Sequence, residues 1–454
     1  MSDSITSVIG LKDTDVDYCR EVIRKENNLD HHLIHVRLVN HGAICQNCGT
    51  FTKRIKEYRN KKIEHAKYLN ERCTIIYSAR RFICPKCGTT FFEKDPFQSQ
   101  YRNISDTTVD NVLKLLKQYN QTFSSVARTV SLTRTEVIKI FDEHVQVKRR
   151  EFSECVGMDE FYFSRKAHKK YALMILSLNK GYVIDMRSNR EKVRIINYFR
   201  TIPKEERKKV KYFSIDMNDN YREAVRACFP DARLCADPFH VIKYLNDALD
   251  NVRLRILRMY ADDKRSDEYY LLKYRKDLLY HDVEFNAWNE VKYNHHFRYQ
   301  LSEKRLQEMI LDIHSDLSKA WNLKERYMRF DKDSMTEQER SSHLDQLIDD
   351  FIASDIPEMM SMGLTLSNWR QEILNSFHTM TKKITTSDGS RKTITARVTS
   401  GPVEGRNKYI KLLLKLANGY VNFDRFRNRA MYVLNRSESY NTEKLENTIP
   451  RRQN

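Results

Sequence analysis

Glycine and proline are scarce in this chain, at 11 and 8 of 454 residues, roughly 2% each where an average protein has about 7% and 5%. Few turns should break the chain, so helix is expected to predominate. No two glycines stand in GxG spacing and no Walker A loop occurs, which excludes a standard dinucleotide fingerprint and a P-loop. The longest apolar run, Tyr171 to Leu176, is far short of the ~20 residues of a membrane helix. The N-terminus has no basic-then-apolar signal peptide. A soluble cytoplasmic protein with no membrane partner is expected. Nine cysteines is an odd number, and four of them form two CxxC pairs, which suits reduced thiols and metal better than a disulfide framework. The length predicts two to four domains.

What is abundant is positive charge: 80 Lys and Arg against 61 Asp and Glu give a net +19, which favours an anionic partner, above all nucleic acid. The excess is unevenly placed. Residues 31–150 carry 22 basic and 10 acidic side chains, and residues 391–454 carry 14 and 5, whereas residues 151–390 are nearly balanced at 40 and 39. Two positive regions therefore flank a neutral body.

The first basic region holds Cys45-Gln46-Asn47-Cys48 and Cys84-Pro85-Lys86-Cys87, each followed by glycine and separated by 35 residues. Two thiolates per knuckle and two knuckles complete a tetrahedral site for one structural Zn²⁺, although the separation is longer than in an ordinary ribbon. Cys73 and His65, between the knuckles, are alternative ligands or simply core residues. From Thr107 to His144 apolar residues recur at helical spacing. Ser124 to Val130, a break at Ser131-Leu132, and Thr133 to Phe141 read as a helix-turn-helix. Its second helix would present Thr133, Arg134, Thr135 and Lys139 to a DNA major groove. Ser131 stands where the turn often has glycine.

From Val156 the period shifts toward two. Cys155 to Phe163, Tyr171 to Leu178 and Tyr182 to Met186 read as strands, followed by a helix near Glu191 to Ile202, a strand at Val210 to Met217, a helix at Asn220 to Cys228 and a strand at Arg233 to Ala236. The order βββαβαβ is that of a ribonuclease H-like domain, whose first and fourth strands are neighbours. Asp159 and Asp216 would then meet, though 56 residues separate them. Close carboxylates repel unless cations neutralise them, and with a third acid they can hold two Mg²⁺ or Mn²⁺ ions about 4 Å apart for displacement at a phosphodiester.

The segments Gly157-Met158-Asp159-Glu160-Phe161, Tyr212-Phe213-Ser214-Ile215-Asp216-Met217, Ala236-Asp237-Pro238-Phe239-His240-Val241-Ile242 and Ser400-Gly401-Pro402-Val403-Glu404-Gly405-Arg406-Asn407 resemble motifs of insertion-sequence transposases of the ISL3 family, enzymes of the DDE class. The CxxC pairs and helix-turn-helix stand in that family's order. The resemblance implies Asp159, Asp216 and Glu404 as the catalytic, metal-binding acids. Pro402 suits the first turn of a helix capped by Ser400 or Thr399, which would carry Asn407, Lys408 and Lys411 beyond Glu404 along a DNA backbone. Asp237, with His240, is either an accessory group at the metal ions or the cap of the next helix. Asp185 and Asp219 read as hairpin-edge and helix-start residues.

The 187 residues between Asp216 and Glu404 exceed what the fold requires. Their charged, helical period predicts an all-helical insertion, with the polar stretch Thr385 to Lys392 as a loop. Core packing is expected for Trp288 and Trp321, with Trp369 the best placed of the three tryptophans to stack on a base.

The expected architecture is multidomain α+β. A zinc-binding module occupies 1–100, a helix-turn-helix 101–150, the first part of the catalytic domain 151–245, a helical insertion 246–390, and the catalytic completion with a basic tail 391–454. The expected activity is that of a DNA transposase that binds terminal inverted repeats, cleaves the ends and joins 3′ hydroxyls to target DNA, acting as a homodimer or higher oligomer on the bacterial nucleoid. The alternatives are a DNA-binding regulator or inactivated domesticated transposase, and a nuclease that cuts without joining.

Overall fold

The computed structural model describes residues 3–435 and 438, apart from 27, 69, 99–102, 165–169, 281–287 and 386–388. Its contacts divide the chain into two compact units. One comprises Met1–Arg149, Phe163–Lys170 and Lys408–Asn454; the other comprises Arg150–Tyr162 and Tyr171–Asn407.

The first unit begins with α1 (Asp3–Val8), followed by β1 (Val16–Glu26), β2 (Leu29–Leu38), β3 (Ala43–Ile44), β4 (Phe51–Thr52), β5 (Ile55–Tyr68), β6 (Glu71–Ile83) and β7 (Thr90–Phe92). Five of these strands form one sheet in the order β1-β2-β6-β5, with β7 also on β6. The pair β2–β6 is parallel and the others are antiparallel. Ile34, Ile63, Ile75, Tyr77 and Phe97 form its core. The second CxxC knuckle therefore lies between two strands of a larger sheet, and the first lies between β3 and β4, which pair as a separate two-stranded sheet. Strands β5 and β6 occupy the space between the CxxC knuckles, which explains their long separation.

Three helices follow: α2 (Asp106–Leu116), α3 (Phe123–Val130) and α4 (Arg134–His144). Thr122 with Ser125 and Thr133 with Glu136 form capping boxes at the starts of α3 and α4, and such caps stabilise a helix by about 1 kcal/mol each. Ser131 takes the left-handed conformation, with φ of 58°, that ends α3 and turns the chain into α4. A helix from the far end of the sequence, α16 below, packs on this trio. Arg425 bonds Asp142 at 2.6 Å, Tyr432 donates to the Leu113 carbonyl at 3.1 Å, and buried Arg429 donates to the carbonyls of Gln118 and Gln121.

The second unit is built on a five-stranded sheet of β8 (Cys155–Tyr162), β9 (Tyr171–Ser177), β10 (Val183–Arg187), β11 (Tyr212–Ile215) and β12 (Arg233–Ala236), in the order β10-β9-β8-β11-β12. The first three strands run as an antiparallel meander, and β11 is parallel to both β8 and β12. Phe213 and Ile215 of β11 are fully buried, as is Ser214 between them. A central strand covered on both faces reads as a continuous run rather than an alternation. The connecting helices are α5 (Lys192–Arg200), α6 (Lys204–Arg207) and α7 (Asp219–Cys228). Asp185 lies on β10, the outer strand of its hairpin and the edge of the sheet, yet it is buried, accepting hydrogen bonds from Met186 N and Tyr198 Oη.

Beyond β12 come α8 (Pro238–Met259), α9 (Asp267–Tyr274), the hairpin β13 (Val291–Asn294) and β14 (Tyr299–Ser302), then α10 (Glu303–Asp312), α11 (Ser315–Lys332), α12 (Glu337–Ile352), α13 (Pro357–Asn368) and α14 (Arg370–Asn375). These helices share one apolar core with the sheet. A second hairpin, β15 (Thr379–Thr385) and β16 (Arg391–Arg397), precedes α15 (Gly401–Leu416) and α16 (Phe423–Leu434). The segment between β12 and α15 is thus not all-helical. Both hairpins are rich in β-branched or aromatic residues, such as Thr379, Thr381, Ile384, Thr393, Ile394 and Thr395 in the second, which favour a pleated surface over a helix. Of the stretch Thr385 to Lys392, residues 386–388 lie outside the described residues and its ends belong to β15 and β16. Trp369 is only 3% exposed and carries the Arg222 guanidinium 4.2 Å above its ring, so it is a core residue and not a free stacking platform. Among the described residues no helix is long and apolar enough to cross a membrane.

Candidate active site

Register brings the first two acids together. Cys155 pairs with Tyr212 and Gly157 with Ser214 in the parallel β8–β11 ladder. Two residues further along each chain stand Asp159 and Asp216, on matching faces because strand side chains alternate. Side-chain oxygens of both lie within 4.8 Å of each other and of a ring nitrogen of His240. His240 Nε2 is 3.0 Å from Asp216 Oδ1.

The third acid arrives on α15. Pro402 stands in its first turn, and the Ser400 carbonyl accepts from Val403 N and Glu404 N at 2.7 and 3.1 Å. The Ser400 hydroxyl pairs with the Ser214 hydroxyl at 2.8 Å inside the protein, fixing the helix start to the strand that ends at Asp216. Gly157 is required for this approach, since a Cβ there would meet Leu178 at 2.7 Å and Val403 at 2.9 Å. Glu404 then groups with Asp237 and His240 within 4.8 Å. His240 belongs to both clusters, so the sheet acids and the helix acid meet around it.

Asp237 caps α8 and also stands beside His240 and Glu404. One carboxylate oxygen accepts from Phe239 N at 3.4 Å and caps α8; the other is buried without a hydrogen-bond partner. Asn407 departs from expectation. It is 7% exposed and donates from Nδ2 to Asp159 Oδ2 at 2.6 Å, so its amide holds the first acid in place and is not free to lie along DNA. The spacing of three residues from Glu404 contained that signal, since both project from one side of the helix. Lys408 and Lys411 are exposed on α15, as are Arg134, Thr135 and Lys139 on α4; the Thr133 hydroxyl is engaged in its cap with Glu136.

Burial, then the charge of Asp216, pushes the Asp159 carboxyl up to about 7. Burial likewise pushes Asp237 up to about 6, against the opposing pull of His240. Burial alone would lower His240, but its hydrogen bond to Asp216 and the surrounding carboxylates outweigh that and raise it. Four carboxylates around one imidazole, with the free oxygen of Asp237 buried and without a hydrogen-bond partner, form an oxygen-rich donor set suited to a hard divalent cation.

A pH dependence follows. Both carboxyls titrate above their ordinary value in the folded chain, so folding binds protons more tightly than the unfolded chain does. Stability is greatest below the unfolded value near 4 and is lost as pH rises through about 6 and 7. In the absence of divalent cations, Asp159→Asn and Asp237→Asn are expected to raise the melting temperature relative to wild type at pH 8 but not at pH 4.5. Mg²⁺ should stabilise wild type more at pH 8 than at pH 5.5. Differential scanning calorimetry at these pH values decides it, and an equal Mg²⁺ gain at both would refute the cation-binding reading of the cluster.

The four cysteines form a separate cluster in the first unit, with Sγ atoms mutually within 4.8 Å. Cys45 and Cys87 are 3.6 Å apart and Cys48 and Cys84 3.4 Å, close to the ~3.8 Å between ligands at tetrahedral Zn–S distances of about 2.3 Å. Both knuckles have the same backbone. Gly49 and Gly88, each with φ of 71°, return their amides to the carbonyls of Cys45 and Cys84. The residues fit one structural Zn²⁺. Cys73 is a fully buried core residue, and His65 bonds Ser105 and the Val8 carbonyl, so neither is a ligand.

Comparison with known proteins covers both regions. A family model for DDE transposases of the ISL3 type, described as "Transposase", matches residues 156–430. A second, described as the zinc-finger of transposase IS204/IS1001/IS1096/IS1165, matches residues 41–87. The transposase for insertion sequence element IS1001 of Bordetella parapertussis is 24% identical over 247 residues, 52% of this chain and 60% of that protein. The transposase for IS1557 of Mycobacterium tuberculosis is 29% identical over 100 residues, 22% of each chain. The matched regions thus span less than two thirds of these relatives' length. With a family model covering more than half of its residues, the chain belongs to the ISL3 family of DDE transposases.

Proposed function

We propose that this protein is an active DNA transposase that binds the terminal inverted repeats of its insertion sequence, cleaves the DNA at the ends and joins the 3′ hydroxyls to target DNA. The observation that carries the reading is the convergence of Asp159, Asp216 and Glu404, from three distant parts of the chain, around His240. The strand order β10-β9-β8-β11-β12 supports a ribonuclease H-like catalytic domain. On this reading 151–245 and the Glu404 helix form that domain, the region 246–390 is an insertion within it, 1–100 is the zinc-binding part and 101–150 the helix-turn-helix that reads the repeats. Arg134, Thr135 and Lys139 are the side chains offered to bases and phosphates, joined by Lys408 and Lys411 as phosphate contacts. Action on two ends calls for a homodimer or higher oligomer on DNA, in the bacterial cytoplasm at the nucleoid.

Bound Mg²⁺ or Mn²⁺, two ions held by Asp159, Asp216 and Glu404, would supply charge neutralisation and Lewis acidity for in-line displacement at a phosphodiester. The protein's own part is geometry. Asn407 locks the Asp159 carboxylate, the Ser214–Ser400 pair locks α15 to β11, and His240 balances the negative charge of the cation-free site. Asp237 adds a fourth carboxylate oxygen facing the same space.

The test incubates purified protein with labelled element ends and a plasmid, with and without Mg²⁺. Joined product only with Mg²⁺ is expected; binding without cutting would make the protein a regulator, and nicks without joining a nuclease.

A further inference from the structure

The β15–β16 hairpin is not used by the site described above, yet it is tethered to it. Its seven-residue strands pair in full register from Thr379–Arg397 to Thr385–Arg391, a ribbon about 20 Å long at 3.3 Å per residue. Each strand packs mainly against the other. The two faces differ. Met380, Ile384, Ile394 and Ala396 lie on one, all at least partly buried. The opposite face carries Thr381, Lys383, Arg391, Thr393 and Thr395, every one exposed. Lys382 and Lys392 share the first face, opposite Ile394 and Ile384 in the register, the one partly buried and the other exposed.

The four cations Lys382, Lys383, Arg391 and Lys392 have no ion-pair or hydrogen-bond partner among the described residues. Arg397, at the base, is the opposite case: it bonds Asp331 at 2.7 Å and Ser376 O at 2.9 Å and stacks 3.6 Å over Phe377. The ribbon therefore has a clamped root and a free basic blade. Its root leads through buried Val398 to Ser400, whose hydroxyl is bonded to Ser214, and to Glu404 on the next turn. The ribbon's root is thus tied, through Val398 and Ser400, to the start of the helix that carries Glu404.

We propose that β15–β16 is a duplex-DNA clamp that grips the phosphates within one helical turn of the scissile position. This rests on the reading of the chain as a DNA-cutting enzyme. Charge complementarity selects the occupant: Lys383 and Arg391 stand among the threonine hydroxyls of one face and Lys382 and Lys392 on the other, four cations unpaired among the described residues that match a polyanion, and neither face offers the exposed apolar area that a protein partner would bury. A two-stranded ribbon also fits the ~12 Å major groove, with the hydroxyls donating to phosphate oxygens at its walls.

The test compares full-length wild type with Lys382→Ala/Lys383→Ala/Arg391→Ala/Lys392→Ala on a duplex containing the element end and flanking DNA. Each phosphate that the protein no longer neutralises lowers the slope of log K against log salt by about 0.9, so the variant's slope should fall by about 3 to 4. Its hydroxyl-radical footprint should lose protection within ~10 base pairs of the cut while keeping protection over the repeat. A charge-keeping variant, Lys382→Arg/Lys383→Arg/Arg391→Lys/Lys392→Arg, should restore both. An unchanged slope and footprint in the alanine variant, or failure of the charge-keeping variant to restore them, overturns the clamp. Cleavage is scored separately: a wild type that binds without cutting sinks the transposase reading, while the slope still decides whether the ribbon grips DNA.

Discussion

Asp216→Asn is expected to bind element ends within about threefold of wild type and to cut them at least ~10³-fold more slowly, more than one hydrogen-bond donor at an anion hole usually contributes. Asparagine has the shape of aspartate without its charge, so β11 keeps its parallel register with β8 and the bond from Ser214 to Ser400 is untouched. Folding should even gain, because the substitution removes the charge that helps push Asp159 up to about 7. A variant at least as stable as wild type at pH 8, equally competent in binding and almost inert in cutting, separates a chemical role from a structural one. Asn407→Ala should fall between the two, with cleavage down about 10- to 100-fold and a higher Mg²⁺ requirement, as is usual when a partner that orients a ligand is removed. Quantitative strand transfer by Asp216→Asn would remove Asp216 from the machinery.

The five-stranded sheet of the second unit is legible in the sequence because its meander strands and crossover helices have local patterns, and the order of such elements leaves few ways to pair them. Asp159 and Asp216 can be paired from strand order alone, and the Glu404 helix announces itself through Pro402 and Ser400. The α3–α4 pair is also readable, down to Ser131, since a left-handed residue can be serine when two capping boxes fix the helices around it.

Other features depend on partners distant in sequence. The exposed stretches of β5 are full of Lys, Arg and Glu, so its period is masked, and only pairing with β6 makes it a strand. Trp369 looks solvent-facing among Ser367, Asn368 and Arg370, but Arg222 covers it. Asp185 reads as a hairpin-edge acid, yet it is buried, with Tyr198 satisfying it from α5. Helix α16 reads as tail, yet it supplies Arg425, Arg429 and Tyr432 to α2–α4 and the turn between α2 and α3 from roughly 300 residues away. Asn407 reads correctly as a residue of the Glu404 helix but incorrectly as a DNA-facing one, because spacing reveals a helical face and not the group that the face meets.

Removal of zinc should disable recognition and spare the catalytic unit. The β3–β4 and β6–β7 turns bring the four thiol sulfurs within 4.8 Å of one another, with Cys45 and Cys84 buried, Cys48 partly buried and Cys87 exposed. Zinc contributes about 10–16 kcal/mol to folding in peptides that have no other core. Here Ile34, Ile63, Ile75 and Tyr77 give the sheet a core of its own, so the loss should be confined to the knuckles. Purified protein is expected to contain one zinc per chain, and Cys84→Ser to contain none. In that variant hydrogen exchange should rise sharply over residues 41–54 and 83–92, stay unchanged over 155–236, and affinity for the element end should drop at least ~10-fold. The sparing of 155–236 matters most, because the acids sit on a sheet whose core, from Val156 to Ala236, includes no residue of the knuckles. A zinc-free native protein with protected knuckles would dismiss the metal, and exchange spreading into β8 and β11 would show that zinc supports the catalytic sheet as well.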